Sequence, residues 1–165
     1  MTLGLWKLRA YSAGLTADPE PALTWLRRAS DVGQWEADYT LGLFHLLSLP
    51  SSPNYDAERG AQYLRKCAER TLSGECAFAY ATALDGGRGV PRDRVQAYAF
   101  YQLAEDDKPA AASKQRLKDM RPLMSREEIA QAEALIVRLR NAFVASKRAS
   151  VAPPVPCCAG APGKS

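Results

Sequence analysis

The chain has 165 residues, 47% of them apolar and 24% charged, which suits one globular domain with its own core. No apolar run approaches the roughly 20 residues a membrane-spanning helix needs. The single histidine, His45, and the absence of a Cys-x-x-Cys pair argue against a zinc site. The net charge of +4 is uneven: residues 1–107 carry 11 Lys/Arg against 14 Asp/Glu, and residues 108–165 carry 11 against 4.

In chain order, MTLGLWKLRAYSAG places Lys7 and Arg9 after its apolar residues and offers no cleavage site, so it does not read as a signal peptide. A cytoplasmic location is expected, or a periplasmic or secreted one if the true start lies upstream. In DPEPALTWLRRASDVG, Asp18 is a candidate N-cap and Pro19 fits the first helical position. Ala22, Trp25, Leu26 and Ala29 form an apolar stripe, and Gly33 supplies a left-handed stop. A second helix is expected from about Glu36 to Leu49, ended by Pro50 and carrying Ala37, Leu41, Phe44 and Leu46.

Cys67 and Cys76 lie in apolar helical stretches on either side of a turn. They are expected to be small buried side chains, with pairing between them left open. The segment GGRGVPRD, residues 86–93, contains glycines that suggest a phosphate-binding loop. No strand precedes it and no Lys-Ser/Thr follows, so it reads as a turn, with positive φ at Gly87 and Gly89 and Asp93 capping the next helix. On that helix Tyr98, Phe100 and Tyr101 form core and ridge. A long helix over 125–147 starts with the capping box Ser125/Glu128 and carries the stripe Ile129, Ala132, Ile136, Leu139 and Phe143. Residues 148–165, rich in Pro, Ala and Gly, read as a disordered tail with exposed Cys157 and Cys158.

The chain repeats itself. Ala22, Ala61 and Ala97 are each followed seven residues on by Ala29, Ala68 and Ala104. Eight further come Ala37, Cys76 and Ala112, then four further Leu41, Tyr80 and Arg116. Asp18, Asp56 and Asp93 keep the same register. Two-helix units with spacings of 39 and 36 residues mean an α-solenoid, because one hairpin cannot bury its apolar face alone. The stretch from Tyr80 to Ala104 resembles the Sel1-like repeat, a relative of the tetratricopeptide repeat: Gly87, Gly89, Val90, Pro91, Asp93, Ala97 and Ala104 match its pattern, Phe100 stands at its tryptophan position and Trp25 matches that position in the first unit. Tyr80-Ala81 replaces its Leu-Gly, and Lys7, His45 and Leu84 replace its tyrosine.

The resemblance covers about residues 3–117. It implies an all-α superhelix of about three helical hairpins plus a long terminal capping helix, one domain over 1–147, and a protein-binding scaffold or adaptor without catalysis, cofactor or metal. Carrying over the ligand-facing positions of the related tetratricopeptide fold gives Leu5 and Leu8; Tyr39, Leu43 and Leu46; Phe78, Thr82 and Asp85; then Lys114, Lys118 and Arg121. Such a groove suits a peptide with an apolar stretch and an acidic end. Leu3, Leu5, Trp6 and Leu8 at an uncapped N-terminal end imply self-association there or a missing upstream segment. The rival readings are a small regulatory enzyme centred on His45 and a nucleic-acid binder using the basic C-terminal third. Packing explains His45 better, and the aromatic and basic residues are segregated rather than interleaved, which counts against nucleic acid.

Overall fold

The structure, a computed structural model, describes residues 18–48, 52–107 and 111–150. Among them are seven α-helices, a short 3-10 turn and no strand: α1 (Glu20–Asp31), α2 (Trp35–Leu47), α3 (Ala57–Thr71), α4 (Gly74–Gly86), α5 (Arg94–Asp107), α6 (Ala111–Met120), the turn Arg121–Leu123 and α7 (Arg126–Ser150). The N-terminal stretch with Leu3, Leu5, Trp6 and Leu8 and the tail from residue 151 lie outside the described residues.

The three aspartates in register start three equivalent helices. Asp18 accepts a hydrogen bond from the Glu20 amide, Asp56 from the Arg59 amide and Asp93 from the Gln96 amide, each at 2.9 Å. Each satisfies a backbone donor that the first helical turn leaves without an intrahelical partner. The box at α7 is reciprocal: Glu128 accepts from the Ser125 amide at 2.7 Å, and Ser125 Oγ accepts from the Glu128 amide at 3.1 Å. α2 is shorter than expected. It ends at Leu47, because Ser48 leaves helical angles and its amide and hydroxyl both donate to the Phe44 carbonyl. α7 runs three residues past Lys147, to Ser150.

From α1 to α6 each helix packs on the next, most extensively α2 with α3 and α4 with α5, joined through α3 and α4. α1 packs on α2, and both α6 and α7 pack on α5. α7 also touches α3, so α3, α5 and α7 share one layer and α2 and α4 the other. The repeated small residues sit at the contacts. Ala61, Ala68, Ala97, Ala104, Ala37 and Cys76 are buried. α2 and α3 meet backbone to backbone: a Cβ on Gly60 would lie 2.9 Å from the Gly42 carbonyl oxygen, and one on Gly42 would lie 2.7 Å from Leu64 Cδ2. Phe100, at the tryptophan position, stands edge-on to Tyr80 with centroids 4.9 Å apart. Tyr98 and Tyr101 are both core rather than one core and one ridge.

Two parts of the repeat series need correction. Trp25 is not on the buried stripe of α1. It is 46% exposed, with the Arg28 guanidinium 5.5 Å from its ring centre, and Leu23 joins Leu26 in the cluster with Ala37 and Leu41 of α2. On α6, Ser113 and Met120 are buried and Leu117 packs against the core, whereas Ala112 and Arg116 are exposed. The helix is turned by one position because its main support is α5, where Ser113 Oγ donates to Glu105 at 2.6 Å.

GGRGVPRD is a turn. Gly87 and Gly89 have φ of +63° and +71°, and the Arg88 amide donates to the Ala83 carbonyl. Gly89 has a second task. A Cβ there would fall 1.9 Å from the Ala57 carbonyl oxygen, so this turn rests on the first residue of α3 in the preceding unit. At Gly87 a Cβ would meet nothing closer than 3.6 Å. Gly87→Ala should therefore cost only the left-handed penalty, about 1–2 kcal/mol. Gly89→Ala should cost about 3 kcal/mol or more, because the overlap with backbone cannot relax cheaply. Urea unfolding of the two variants checks this, and equal losses would refute the docking role of Gly89.

Candidate functional site

The residues that the sequence assigns to a groove lie on α2, α4 and α6. Tyr39 and Leu43, one helical turn apart on α2, are half-buried and packed against the main core. Leu46 is not on this face: it is buried, and a Cβ on Gly60 of α3 would lie 2.8 Å from its Cγ. On α4, Phe78 and Thr82 are also half-buried. The Phe78 ring stands edge-on to Tyr101 at 5.5 Å. The Tyr101 hydroxyl donates to Thr82 Oγ1 at 3.3 Å, while the Thr82 hydroxyl donates to the Phe78 carbonyl at 2.9 Å. Tyr39 and α4 are electrically linked. Burial first, and then the Glu75 carboxylate, raise the Tyr39 phenol above its ordinary range. Glu75 at the start of α4 is thus near enough to Tyr39 of α2 to act on its phenol.

Farther along, the face becomes ionic. Asp85 on α4 lies 3.6 Å from Arg92 and 3.8 Å from Arg116 of α6. Arg116 stands in the repeat series in register with Leu41 and Tyr80, both buried, and the one-position turn of α6 exposes it. Lys114 and Lys118 are exposed on α6. Arg121 follows the helix and points back to α5, donating to the Tyr98 hydroxyl at 3.4 Å. The lysine pair and Arg121 therefore do not form one continuous helical cluster.

His45 is buried. Its ring stacks on Tyr63, with centroids 6.1 Å apart and planes 5° from parallel, and its Nδ1 lies 3.0 Å from the Asn54 carbonyl oxygen. That carbonyl can only accept, so Nδ1 carries the hydrogen. A polar cluster that sequence reading passed over sits between α1, α2 and α3. Asp38, completely buried, accepts from Ser30 Oγ and lies 3.0 Å from Lys66 Nζ, with Arg70 3.7 Å from its other oxygen. A buried carboxylate needs such partners, so the cluster ties α1 and α3 to α2. Its signal in the sequence is only an Asp between two small or apolar positions of a helix. On the opposite layer, α3, α5 and α7 enclose a cleft of about 450 Å³, walled by Val95, Leu135 and Leu139 and rimmed by Arg65 and Arg138.

The Sel1 repeat pattern matches three segments of the chain, residues 3–34, 35–71 and 74–107, more than half of its length. The junctions fall at the turns before α2 and α4. No curated protein matches the chain. Among solved structures, the chain is similar to c5321, a protective antigen present in uropathogenic Escherichia coli strains and displaying an SLR fold. The TM-score is 0.71 at 19% identity, over 96% of this chain and 34% of that one. The chain spans about a third of that protein's length, and the likeness is one of fold. No helix among the described residues is long and apolar enough to cross a membrane.

The buried phenols give a pH test. Tyr39, Tyr80 and Tyr101 are all raised above the ordinary tyrosine value, in each case chiefly by burial. Folding favours their neutral form. This stabilisation is complete below the unfolded tyrosine value, near pH 10, and is lost as pH rises above it toward the folded values. Alkaline titration followed at 295 nm should show a late group of tyrosines that ionise together with loss of helical circular dichroism. Ordinary ionisation of all seven tyrosines with the helices intact would contradict this burial.

Proposed function

Because the chain belongs to the Sel1 repeat family, we propose that it is a non-enzymatic scaffold or adaptor that holds a peptide or protein segment along the face formed by α2, α4 and α6. The observation that carries this reading is the run of half-buried Tyr39, Leu43 and Phe78 followed by the charged stretch from Asp85 to α6. Half-buried aromatic and aliphatic side chains on rigid helices cost little entropy to engage and act as anchors. The exposed cations Lys114, Lys118 and Arg121 would speed encounter with, and orient, a ligand whose far end is acidic. The likeness to c5321 supports the fold of such a scaffold and names no partner for this chain. A cytoplasmic setting is the reading kept from the sequence, and the state of the two buried cysteines bears on it.

The test uses a peptide selected from a displayed random library on the full chain and then synthesised. Tyr39→Ala and Leu43→Ala, with melting temperatures checked, should each weaken binding about tenfold, or roughly 1.4 kcal/mol. Reversing Lys114, Lys118 and Arg121 together to Glu should abolish capture of acidic-ended peptides, and deleting residues 151–165 should leave it unchanged. Loss of binding on the deletion, with the charge reversal silent, would move the site to the tail and refute the groove.

A further inference from the structure

Cys67 and Cys76 support an inference that depends on no ligand. Both are completely buried, one near the end of α3 and the other near the start of α4, on either side of the turn that joins the second unit to the third. Their Cα atoms are 5.6 Å apart, in the middle of the span that disulfides bridge, and their sulfurs are in bonding contact. The turn between them is conformationally costly. Leu72 has a φ of +51°, the one positive value among the described non-glycine residues, and this crowds its Cβ against the following carbonyl. It is held by its neighbours. The Leu72 amide donates to the Ala68 carbonyl at 3.0 Å, the Ser73 amide to Thr71 Oγ1 at 3.1 Å, and the Gly74 amide to Asp107 of α5 at 2.7 Å.

We propose that Cys67 and Cys76 form a redox-dependent brace that fixes the second unit against the third. A thiolate from one cysteine attacks a small-molecule disulfide, releasing one thiol and leaving a mixed disulfide. The second cysteine then attacks that sulfur and expels the second thiol. In sum, two protein thiols and one external disulfide give one protein disulfide and two external thiols. The dithiol state is also accommodated, because the Cys67 thiol has an acceptor 3.3 Å away in the Trp35 carbonyl. With both sulfurs buried, exchange requires the α3–α4 junction to open or the chain to be unfolded, so the native brace resists reductant. In an oxidising compartment the bond persists, and in a reducing one the junction relies on its hydrogen bonds alone. A consequence for ligand capture rests on the groove reading: Cys76 precedes Phe78 by two residues on α4, so the brace would limit motion of the third unit's part of that face.

The test uses the full chain carrying Cys157→Ser and Cys158→Ser, so that the tail thiols cannot report. After refolding with oxidised glutathione, the intact mass should fall by two hydrogens, and a protease digest should contain a peptide joined through Cys67 and Cys76. Reduction should lower the melting temperature by about 5–10 °C. The Cys67→Ala/Cys76→Ala double variant should melt like the reduced chain and ignore redox state. Reduction by a water-soluble phosphine should be about tenfold or more slower in buffer than in denaturant. Free thiols after oxidative refolding, cross-links between chains, or equal melting of the oxidised and reduced forms would each overturn the brace. The mass and melting comparisons need no variant at Cys67 or Cys76 and no ligand, so they stand even if the double variant fails to fold or the groove binds nothing.

Discussion

The structure depends on helices approaching closely enough for their backbones to touch. At the crossing of α2 and α3 there is no room for side chains: Gly42 and Gly60 face each other, and a Cβ on either would overlap the partner helix. Alanines serve the same purpose at Ala61, Ala77, Ala81, Ala97 and Ala104, all buried. Close approach lets the larger residues between these points, Leu64, Tyr80, Phe100 and Tyr101, pack between the helices, and dispersion contacts then add up over the whole interface. An amphipathic hairpin of two helices this short, 13 and 15 residues for α2 and α3, would not persist alone in water, so stability must come from stacking the units.

Stacking leaves the two layers with different duties. The α3, α5 and α7 layer ends in a helix nearly twice as long as its neighbours, 25 residues against 14 in α5, whose outer face is largely exposed. α7 lies along α5, with Arg140 paired to Asp106, and closes that layer. α6 in the other layer packs on α5 without being sandwiched, which is why it could turn by one position and expose Arg116. Polar connections add to this packing: buried Asp38 with its hydroxyl and cations between the first and second units, and, part-buried, Gly74 with Asp107 inside the third unit and Ser113 with Glu105 between α6 and α5. Being directional, they fix the register that apolar contacts alone would leave loose.

Much of this was readable before the structure. The aspartate caps, the glycine turn, the Ser125/Glu128 box and the helical hairpins followed from spacing, because each is a local backbone requirement that a few residues satisfy. What escaped was set by tertiary context. Trp25 matches a buried position of the repeat, yet Leu23 is the residue in contact with α2. The one-position turn of α6 depends on which neighbour supports the helix, which no anchor spacing encodes. Arg116, in register with the buried Leu41 and Tyr80, is exposed and reaches Asp85. The influence of Glu75 on Tyr39, from one unit to the next, appears only in the folded chain. The approach of the Cys67 and Cys76 Cα atoms to 5.6 Å depends on how α3 and α4 meet across the turn at Leu72, which residue spacing does not encode. On the candidate face, Tyr39 and Leu43 lie one turn apart on α2 and Phe78 and Thr82 one turn apart on α4, all half-buried, whereas Leu46 went into the core and Arg121 turned toward Tyr98.

The central claim is that the α2, α4 and α6 face does the binding, whereas a cleft of about 450 Å³ lies on the other layer, between α3, α5 and α7. Amide hydrogen exchange of the chain, free and saturated with a library-selected peptide, compares the two faces in one experiment. The account predicts that added protection concentrates in Trp35–Leu47 and Gly74–Gly86, with α7 unchanged. Protection confined to α3 and α7, around Arg65 and Arg138, would contradict it.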